Sequence, residues 1–264
     1  MKWRPLAQPP RPALPYPSVR LNKYLSETGA WSRRGADAII AEGRVTKNGE
    51  PAVLGTQVED GDVIAVDGVA VGPSVRRERP VYIALNKPPG ITCTTERHVR
   101  GNIIDFVGHK ERIFPIGRLD KDSEGLILLT NDGDIVNEVL RAEHGHEKQY
   151  LVSIDRRITD AFITEMAGGV DIGDAITKPC RVRRVSPQVI EVVLTQGLNR
   201  QIRRMVEALD HKVIALRRVR IMHIELGGLP RGKWRDLTAD EIAGLAPPPE
   251  RAAKPAPRAA EKST

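Results

Sequence analysis

The chain has 264 residues, 40% of them hydrophobic, which is enough to bury a sizeable core and fits two moderate domains. Its net charge of +7, from 41 Lys+Arg against 34 Asp+Glu, makes a polyanion a candidate partner. The longest apolar run has five residues, Val81 to Leu85, so we expect no membrane helix, which needs about 20. Two cysteines exclude a disulfide framework and a cysteine-based zinc site, and they favour a reducing cytoplasm.

Proline and polar residues are concentrated at both ends of the chain and in one internal segment that separates two domains. Residues 1–17 contain six prolines and no apolar core of a secretory signal, so we predict a flexible N-terminus. Residues 247–264 are predicted to form a disordered tail for the same compositional reason. Gly72-Pro73 and the run RRERP place a boundary near residue 77. We therefore expect one domain over residues 18–76 and a second over residues 80–246.

The first domain has the pattern of a small α+β module. Ser32 can cap a helix that runs to about Glu42. Three apolar residues of this stretch fall on one helical face: Ala36, Ile39 and Ile40. Asn48-Gly49 and Asp67-Gly68 are typical two-residue hairpin turns between short β-prone runs.

Strand-like runs alternate with helical stretches in the second domain. Six runs are predicted as strands: Tyr82–Leu85, Leu126–Thr130, Tyr150–Ile154, Val189–Thr195, Val213–Leu216 and Arg220–Leu226. Three stretches are predicted as helices: Asp134–Arg141, Thr159–Met166 and Asn199–Leu209. Many strands with few, separated helices predict an α+β fold, in which helices flank a mixed or antiparallel sheet.

The positive charge is concentrated in one segment. Residues 195–235 hold ten basic and three acidic residues, so this segment alone carries +7. Helical spacing places Arg200, Arg203 and Arg204 on one face of the predicted helix, opposite apolar residues. Such a face is either a solvated surface or a contact surface for a phosphate backbone.

The first domain is net acidic, with six basic and eight acidic residues over residues 20–75, yet its charges are segregated. Arg20, Lys23, Arg33 and Arg34 cluster around its helical start. We therefore expect one face of this domain to contact RNA.

The densest chemical pattern is FPIGRLDKDSEGLILLTNDGD, residues 114–134. Asp120 and Asp122 imitate the start of a calcium-binding EF-hand loop. The twelfth position of such a loop needs a bidentate acid, and Asn131 occupies it after a strand-like apolar run, which excludes this interpretation.

Three interpretations of the two aspartates stay open from the pattern itself. They could form the carboxylate pair of a glycoside hydrolase, since residues i and i+2 of an extended segment point to one side about 7 Å apart. Asp120 could instead act alone, as a nucleophile or an electrostatic group beside Arg118. A solvated turn without catalytic function is the third interpretation.

Six ordered motifs make the chain resemble the bacterial ribosomal-RNA pseudouridine synthases of the RsuA-like family. They are an S4-like stretch VRLNKYLSETGAWSRRGADAIIAEGRVTKNG, then LNKPPGI, FPIGRLDKDSEGLILLTNDGD, HEKQYLV, GLNRQIRRM and LPRGKWRDLT. The similarity spans about residues 18–245. The details KDSEGL and HEKQY are most similar to the F-type subgroup, which acts on 23S rRNA.

The resemblance implies a fold and roles for individual residues. It implies an S4-like RNA-binding module followed by a pseudouridine-synthase catalytic domain. Asp120 would attack the target uridine at C1′ or assist a glycal-forming elimination. Tyr150 would stack on the flipped base and take the proton from C5, and Arg203 would pair with the aspartate. Lys87, in LNKPPG, is expected to reach an RNA phosphate or to brace its loop, and the alternative is a solvated lysine before a Pro-Pro turn.

The remaining expectations concern partners. Arg118, Arg200 and Arg204 are expected to contact RNA together with the cations of the first domain. The resemblance implies no cofactor and no metal, and the histidines and cysteines show no zinc-site spacing. It implies a cytoplasmic monomer that acts on 23S rRNA or its assembly intermediates, with a tRNA anticodon uridine as a second candidate substrate. The alternative is a non-catalytic, ribosome-associated RNA-binding protein.

Overall fold

The structure, a computed structural model, describes residues 18–72, 80–140 and 145–245. The predicted flexible end over residues 1–17 and the predicted tail lie outside the described residues. Internal contacts divide the chain into two compact units, with the division between Arg79 and Pro80. The predicted α+β fold class is confirmed, because a small mixed module precedes a large sheet with helices.

The described part of the first unit, residues 18–72, contains two helices and six short strands. They are β1 Ser18–Arg20, α1 Leu21–Glu27, α2 Arg33–Ala41, β2 Val45–Lys47, β3 Glu50–Pro51, β4 Gln57–Glu59, β5 Ile64–Val66 and β6 Val69–Val71. The predicted cap of α2 is confirmed, since the Ser32 hydroxyl accepts a hydrogen bond from the Gly35 amide at 2.9 Å. The predicted apolar face of α2 is buried in the core of this unit.

Both predicted hairpin turns of the first unit are confirmed. Asn48 and Gly49 have φ values of 54° and 88°, and they connect β2 to β3. Asp67 and Gly68 have φ values of 51° and 78°, and they connect β5 to β6. Two successive positive φ values are the hallmark of the type I′ turn, which Asn-Gly and Asp-Gly adopt at low steric cost.

The second unit is built on a nine-stranded sheet. Its strands are β7 Tyr82–Lys87, β8 Phe114–Ile116, β9 Glu124–Thr130, β10 Lys148–Ile154, β11 Arg181–Ser186, β12 Val189–Leu194, β13 Val213–Ile221, β14 Ile224–Glu225 and β15 Trp234–Asp236. The main order is β11-β12-β10-β13-β9-β7-β15, with β14 beside β13 and β8 beside β9. The pair β13–β9 is parallel and the other pairs are antiparallel, so the predicted mixed sheet is confirmed.

Over residues 80–140 and 145–245, five helices accompany this sheet: α3 Ile103–Val107, α4 Gly133–Leu140, α5 Asp160–Gly168, α6 Gln201–Ala208 and α7 Ala239–Ala243. The three predicted helices correspond to α4, α5 and α6. One core cluster joins α5 and α6 to β10, β12 and β13. A second includes Val139 of α4, and a third joins α3 to β7 and β9.

The prediction of two separate strands over Val213–Leu216 and Arg220–Leu226 is wrong. One continuous strand, β13, runs from Val213 to Ile221. Adjacent arginines interrupt the apolar pattern but not the strand, because Arg218 is 97% buried and its Nε donates to the Leu126 carbonyl at 2.7 Å. Strand β11 was not predicted either, because its arginine-rich sequence is largely exposed and lacks an apolar run.

One row of paired residues crosses the centre of the sheet and positions Tyr150 and the start of β9. Tyr150 of β10 pairs with Arg218 of β13, Arg218 with Gly125 of β9, and Gly125 with Lys87 of β7. Gly125 has a φ of 101°, and a Cβ there would overlap the backbone of Arg218. Glycine is therefore needed where β9 and β13 meet in parallel.

We expect Gly125→Ala to destabilise the second unit by at least about 3 kcal/mol, because it combines a backbone clash with a positive φ. Urea denaturation measures this loss. Gly133→Ala is the matched control, since a Cβ at Gly133 meets no described atom within 4 Å. Equal stability of the two variants would contradict the close approach at Gly125.

The edge of the sheet is held by an ion pair between β15 and α7. Arg235 donates two hydrogen bonds of 2.7 Å to Glu241, which also forms a capping box with Thr238. The hydrogen bonds from Arg235 are the main cause that lowers the pKa of Glu241 to about 2, from an ordinary value of 4.5.

The free-energy contribution of Glu241 should therefore depend on pH. Its pKa is lower in the folded chain than in the unfolded chain, so the contribution is complete above pH about 5 and is lost as the pH falls toward about 2. We expect Glu241→Gln to cost about 1–2 kcal/mol at pH 7, after allowance for solvent screening, and almost nothing near pH 2. Thermal unfolding against pH measures this, with exposed Asp240→Asn as the control. A pH-independent difference would contradict the assignment.

Candidate active site

Lys87 anchors the loop that carries the two aspartates between β8 and β9. Its side chain is fully buried, and its ammonium group donates to the carbonyls of Pro88, Lys121 and Ser123 at 3.0, 3.3 and 2.8 Å. Burial lowers the pKa of Lys87, while the charges of the nearby carboxyl groups act in the opposite direction. Two of the three carbonyls flank Asp122, so one side chain holds both ends of this turn.

This arrangement corrects one prediction. Lys87 was expected either to reach an RNA phosphate or to brace its loop, and the structure selects the brace. A side chain with no exposed surface and three carbonyl partners is not available to a phosphate. The proline-rich sequence after Lys87 suggested an exposed turn, whereas only the tertiary contacts with residues 121–123 reveal the burial.

Two arginines face the aspartates from the start of α6. Arg203 Nε and Arg200 Nη1 both lie 3.9 Å from Asp120 Oδ2. The same side chains lie closer to Asp122, with Arg203 Nη2 at 3.3 Å and Arg200 Nη1 at 3.4 Å. Within the described part of the chain, no hydrogen-bond donor reaches the carboxylate of Asp120. Asp120 is therefore attracted by two cations and keeps its oxygen lone pairs available.

The start of α6 has an unusual backbone that separates its three arginines. Arg200 is not inside the helix but precedes it, with a left-handed φ of 48°. Arg203 is on the first turn and its side chain is 12% exposed. Arg204 forms an ion pair with Asp174 and donates to the Ile172 carbonyl at 2.5 Å. The single arginine face that helical spacing predicted is therefore divided, and Arg204 turns away from Asp120.

Asp120 and Tyr150 line the same cavity, which has a volume of about 280 Å³. The sheet supplies Tyr150, the loop supplies Asp120 and exposed Arg118, and the start of α6 supplies Arg200. Apolar side chains also line it, namely Ile116, Leu119, Val139, Leu194, Ile202 and Leu216. A cavity whose lining combines apolar side chains with a few converging polar groups is the usual construction of a ligand site.

Two cations of this cavity were not among the predicted site residues. Lys148 and Arg218 both line it, and burial together with the charge of Arg218 lowers the pKa of Lys148. Arg218 Nη2 is buried and has no hydrogen-bond partner among the described residues. The signal for Lys148 was its position two residues before Tyr150, since residues i and i+2 of a strand share a face. The burial of Arg218 had no sequence signal.

Three of the four cations that were predicted to contact RNA in the first unit lie close together. Arg20, Lys23 and Arg33 line one shallow depression together with Gln57. Arg34 is exposed but does not line it. Lys23 also forms an ion pair with Glu27 at 3.7 Å. A concave surface with three cations is suited to a phosphate backbone.

Three further observations concern the calcium-loop pattern, metal sites and membrane helices. Asn131, at the twelfth position of the rejected calcium loop, accepts a hydrogen bond from the Val81 amide at 2.8 Å and so joins two strands. Residues 18–72, 80–140 and 145–245 contain no group of three or more His, Cys, Asp and Glu side chains placed to hold a metal ion. In the same ranges no helix has the length and apolar character needed to cross a membrane.

Comparison with protein families assigns both units. A model described as RNA pseudouridylate synthase matches residues 81–208, within the second unit. A model of the S4 domain matches residues 19–64, within the first unit. Both matches agree with the resemblance drawn from the motifs.

Individual relatives agree with the family models. The chain is 55% identical over 232 residues to the dual-specificity RNA pseudouridine synthase RluF of Escherichia coli (strain K12), covering 88% of this chain and 80% of that protein. It is 35% identical over 235 residues to the ribosomal large subunit pseudouridine synthase B of Bacillus subtilis (strain 168), covering 86% and 95%.

A solved structure gives the same result. A crystal structure of a pseudouridylate synthase aligns with a TM-score of 0.64 at 29% identity, covering 86% of this chain and all of the other. The motifs, the shared cavity of Asp120 and Tyr150, the family models and the relatives therefore converge: this chain belongs to the RNA pseudouridine synthases, with an S4 domain ahead of the catalytic domain.

Proposed function

We propose that this enzyme converts one uridine of 23S rRNA, or of its assembly intermediates, to pseudouridine, and that it also accepts a tRNA anticodon uridine. One relative is by name a ribosomal large subunit enzyme, which supports the first substrate. The 55% identical relative is by name a dual-specificity enzyme, which supports the existence of a second. The observation that carries the catalytic part of the proposal is that Asp120 and Tyr150 line one cavity, with two arginines 3.9 Å from the Asp120 carboxylate.

The reaction breaks the bond between N1 of uracil and C1′ of ribose and forms a bond between C5 and C1′. The proton on C5 leaves and N1 gains a proton, so the atoms balance without water or a redox partner. Asp120 either attacks C1′ or assists an elimination that yields a glycal. In either case it needs a charged carboxylate with a lone pair aimed at the sugar. The two guanidinium groups 3.9 Å away attract the carboxylate of Asp120 and leave its lone pairs unoccupied.

The cavity limits what can reach Asp120. Its volume of about 280 Å³ is at the lower end of small-molecule sites, and it suits a single base turned out of the RNA stack. Tyr150 offers a ring for stacking on that base, and its hydroxyl is the proposed acceptor of the C5 proton. Arg203 is proposed to hold the Asp120 loop and its charge, because it bridges Asp120 and Asp122.

RNA would be held by two sets of cations, one in each unit. Arg20, Lys23, Arg33 and Arg34 of the S4 domain are proposed to contact the RNA backbone. Arg118 and Arg200 are proposed to do so at the mouth of the catalytic cavity. Arg204 is a weaker candidate, because Asp174 already neutralises it. Lys87 is excluded from this set by its burial.

The proposal includes a cytoplasmic monomer as the active form. Ribosomal and transfer RNA are the expected substrates, and the catalytic groups Asp120, Tyr150 and Arg203 all come from one chain. The other classes considered for the sequence are less well supported. A non-catalytic RNA-binding protein does not agree with the family membership. A glycoside hydrolase would need Asp122 beside Asp120 in the cavity, whereas the Asp122 side chain is 53% exposed and does not line it.

We expect Asp120→Asn to abolish tritium release from [5-³H]uridine-labelled 23S rRNA, because the amide is a poor nucleophile, while filter binding of the RNA is retained. Asp122→Asn is the matched control and should lower the rate by less than about tenfold. The proposed role of Asp120 fails if its variant turns over at the normal rate, or if the two variants are equally impaired.

The substrate is tested by mapping pseudouridines in cells that lack the gene. We expect one carbodiimide-dependent reverse-transcription stop in 23S rRNA to disappear, and to return with the wild-type gene but not with the Asp120→Asn gene. An unchanged set of stops in 23S rRNA would refute the large-subunit assignment. Mapping of tRNA from the same cells tests the second substrate.

The hydrogen bonds from Lys87 to the loop that carries Asp120 lead to a separate prediction. Lys87→Met removes the ammonium and leaves buried carbonyls without a donor, which should cost about 2 kcal/mol of stability. Because the same loop positions Asp120, kcat should fall more than KM rises. Thermal unfolding and tritium release measure the two effects, and exposed Lys121→Met on the same loop is the control. Wild-type melting and kcat for Lys87→Met would disprove the bracing role.

A further inference from the structure

A group of exposed aromatic rings lies at the edge of the sheet and is not explained by the catalytic site. Trp234 is on edge strand β15, and 38% of its surface is exposed. The ring of His109 contacts it edge-on, with centroids 5.7 Å apart and an angle of 69° between the planes. Phe106 at the end of α3 is also 38% exposed. A Cβ on Gly232, two residues before Trp234, would lie 3.6 Å from the Phe106 ring.

Trp234 projects from the same side of the sheet as Tyr150. Trp234 pairs with Leu85, and directly paired residues project to one face. Leu85 precedes Lys87 by two residues, and Lys87 belongs to the row that ends at Tyr150. Four strand spacings of about 4.8 Å and a two-residue offset of about 7 Å along the strand place Trp234 roughly 20 Å from Tyr150. A few nucleotides of an unpaired strand can span that distance.

Charged residues of both signs adjoin the rings, and two of them are exposed lysines. Lys110 follows His109 and Lys233 precedes Trp234, and both lysines are exposed. Neither lysine has an ion-pair partner in the described ranges of the chain. Aromatic faces interleaved with cations are the usual features of a surface that binds single-stranded RNA, because every base has a π-face and every nucleotide a phosphate. An apolar protein partner would gain little from the two lysines.

We infer that Trp234, held edge-on by His109, is a stacking subsite for an unpaired base that lies a few nucleotides from the target uridine. The inference depends on the proposed function for the identity of the ligand, an RNA, but it does not depend on the proposed isomerisation reaction. It would add binding energy at a distance from the reacting base, and it would favour targets whose flanking nucleotides are single-stranded. Duplex flanks hide the faces of their bases and would not use it.

The test is direct binding of two RNAs that differ only in strandedness. The probe is a short single-stranded uridine oligonucleotide that carries one 2-aminopurine, compared with the same oligonucleotide annealed to its complement. We expect Trp234→Ala to weaken binding of the single strand by roughly 5- to 150-fold and to reduce the quenching of 2-aminopurine. Binding of the duplex should not change. Trp234→Phe should restore most of the single-strand affinity, because a smaller ring still stacks.

The controls separate stacking from loss of structure. Thermal unfolding of the full chain identifies a variant that is merely unfolded, and Ile214→Ala removes another exposed apolar side chain, 68% exposed, from the same sheet. The inference is overturned if Trp234→Ala binds the single strand as well as the wild type. It is also overturned if Trp234→Ala loses both RNAs equally while remaining folded. Tritium release from 23S rRNA is measured separately, so a failure of the proposed function would appear there and not in the binding assay.

Discussion

The catalytic domain depends on one buried ammonium group. Lys87 has no exposed surface, and it holds the carbonyls of Pro88, Lys121 and Ser123 together. Removing a charge from water is costly, and here the cost is offset by three carbonyl dipoles and by the two nearby aspartates. Those contacts define the path of the loop that presents Asp120. The close packing of Gly125 against Arg218 supports the C-terminal end of the same loop, because β9 starts where the loop ends. Asp120 is therefore carried by a loop, but it is positioned by the sheet.

The positive charges of the second unit do not form one uniform surface, because individual arginines have different partners. The segment with a net charge of +7 divides its arginines among different tasks. Arg203 bridges the carboxylates of Asp120 and Asp122, Arg204 is neutralised by Asp174, and Arg218 is buried and joins β13 to the Leu126 carbonyl. Only part of the formal charge is therefore available to RNA. The guanidinium group suits these tasks because its planar fork of donors satisfies several acceptors at once, even when it is buried.

Sequence patterns predicted features that depend on local chemistry. The cap at Ser32, the two type I′ turns and the apolar faces of the helices follow from short-range rules, and the structure confirms them. The motifs around Asp120, Tyr150 and Arg203 indicated the family, because their residue types and order leave few alternatives. Local patterns failed where a tertiary contact outweighed them. Adjacent arginines in β13 suggested a break, and a proline-rich turn suggested that Lys87 was exposed, whereas burial against the strands and the loop decided both.

The sequence by itself therefore determined the class of fold, the order of the two domains and the identity of the candidate nucleophile. Turn chemistry, periodicity and ordered motifs depend on residues that are close together in the chain. Only the tertiary structure decided which cations serve the site. Helical spacing grouped Arg200 with Arg203 and Arg204, but a left-handed residue at the start of α6 and the contact with Asp174 separated them. The placement of Trp234 on the same face as Tyr150 likewise depends on strand register, which links residues far apart in the chain and leaves no trace in any short stretch of sequence.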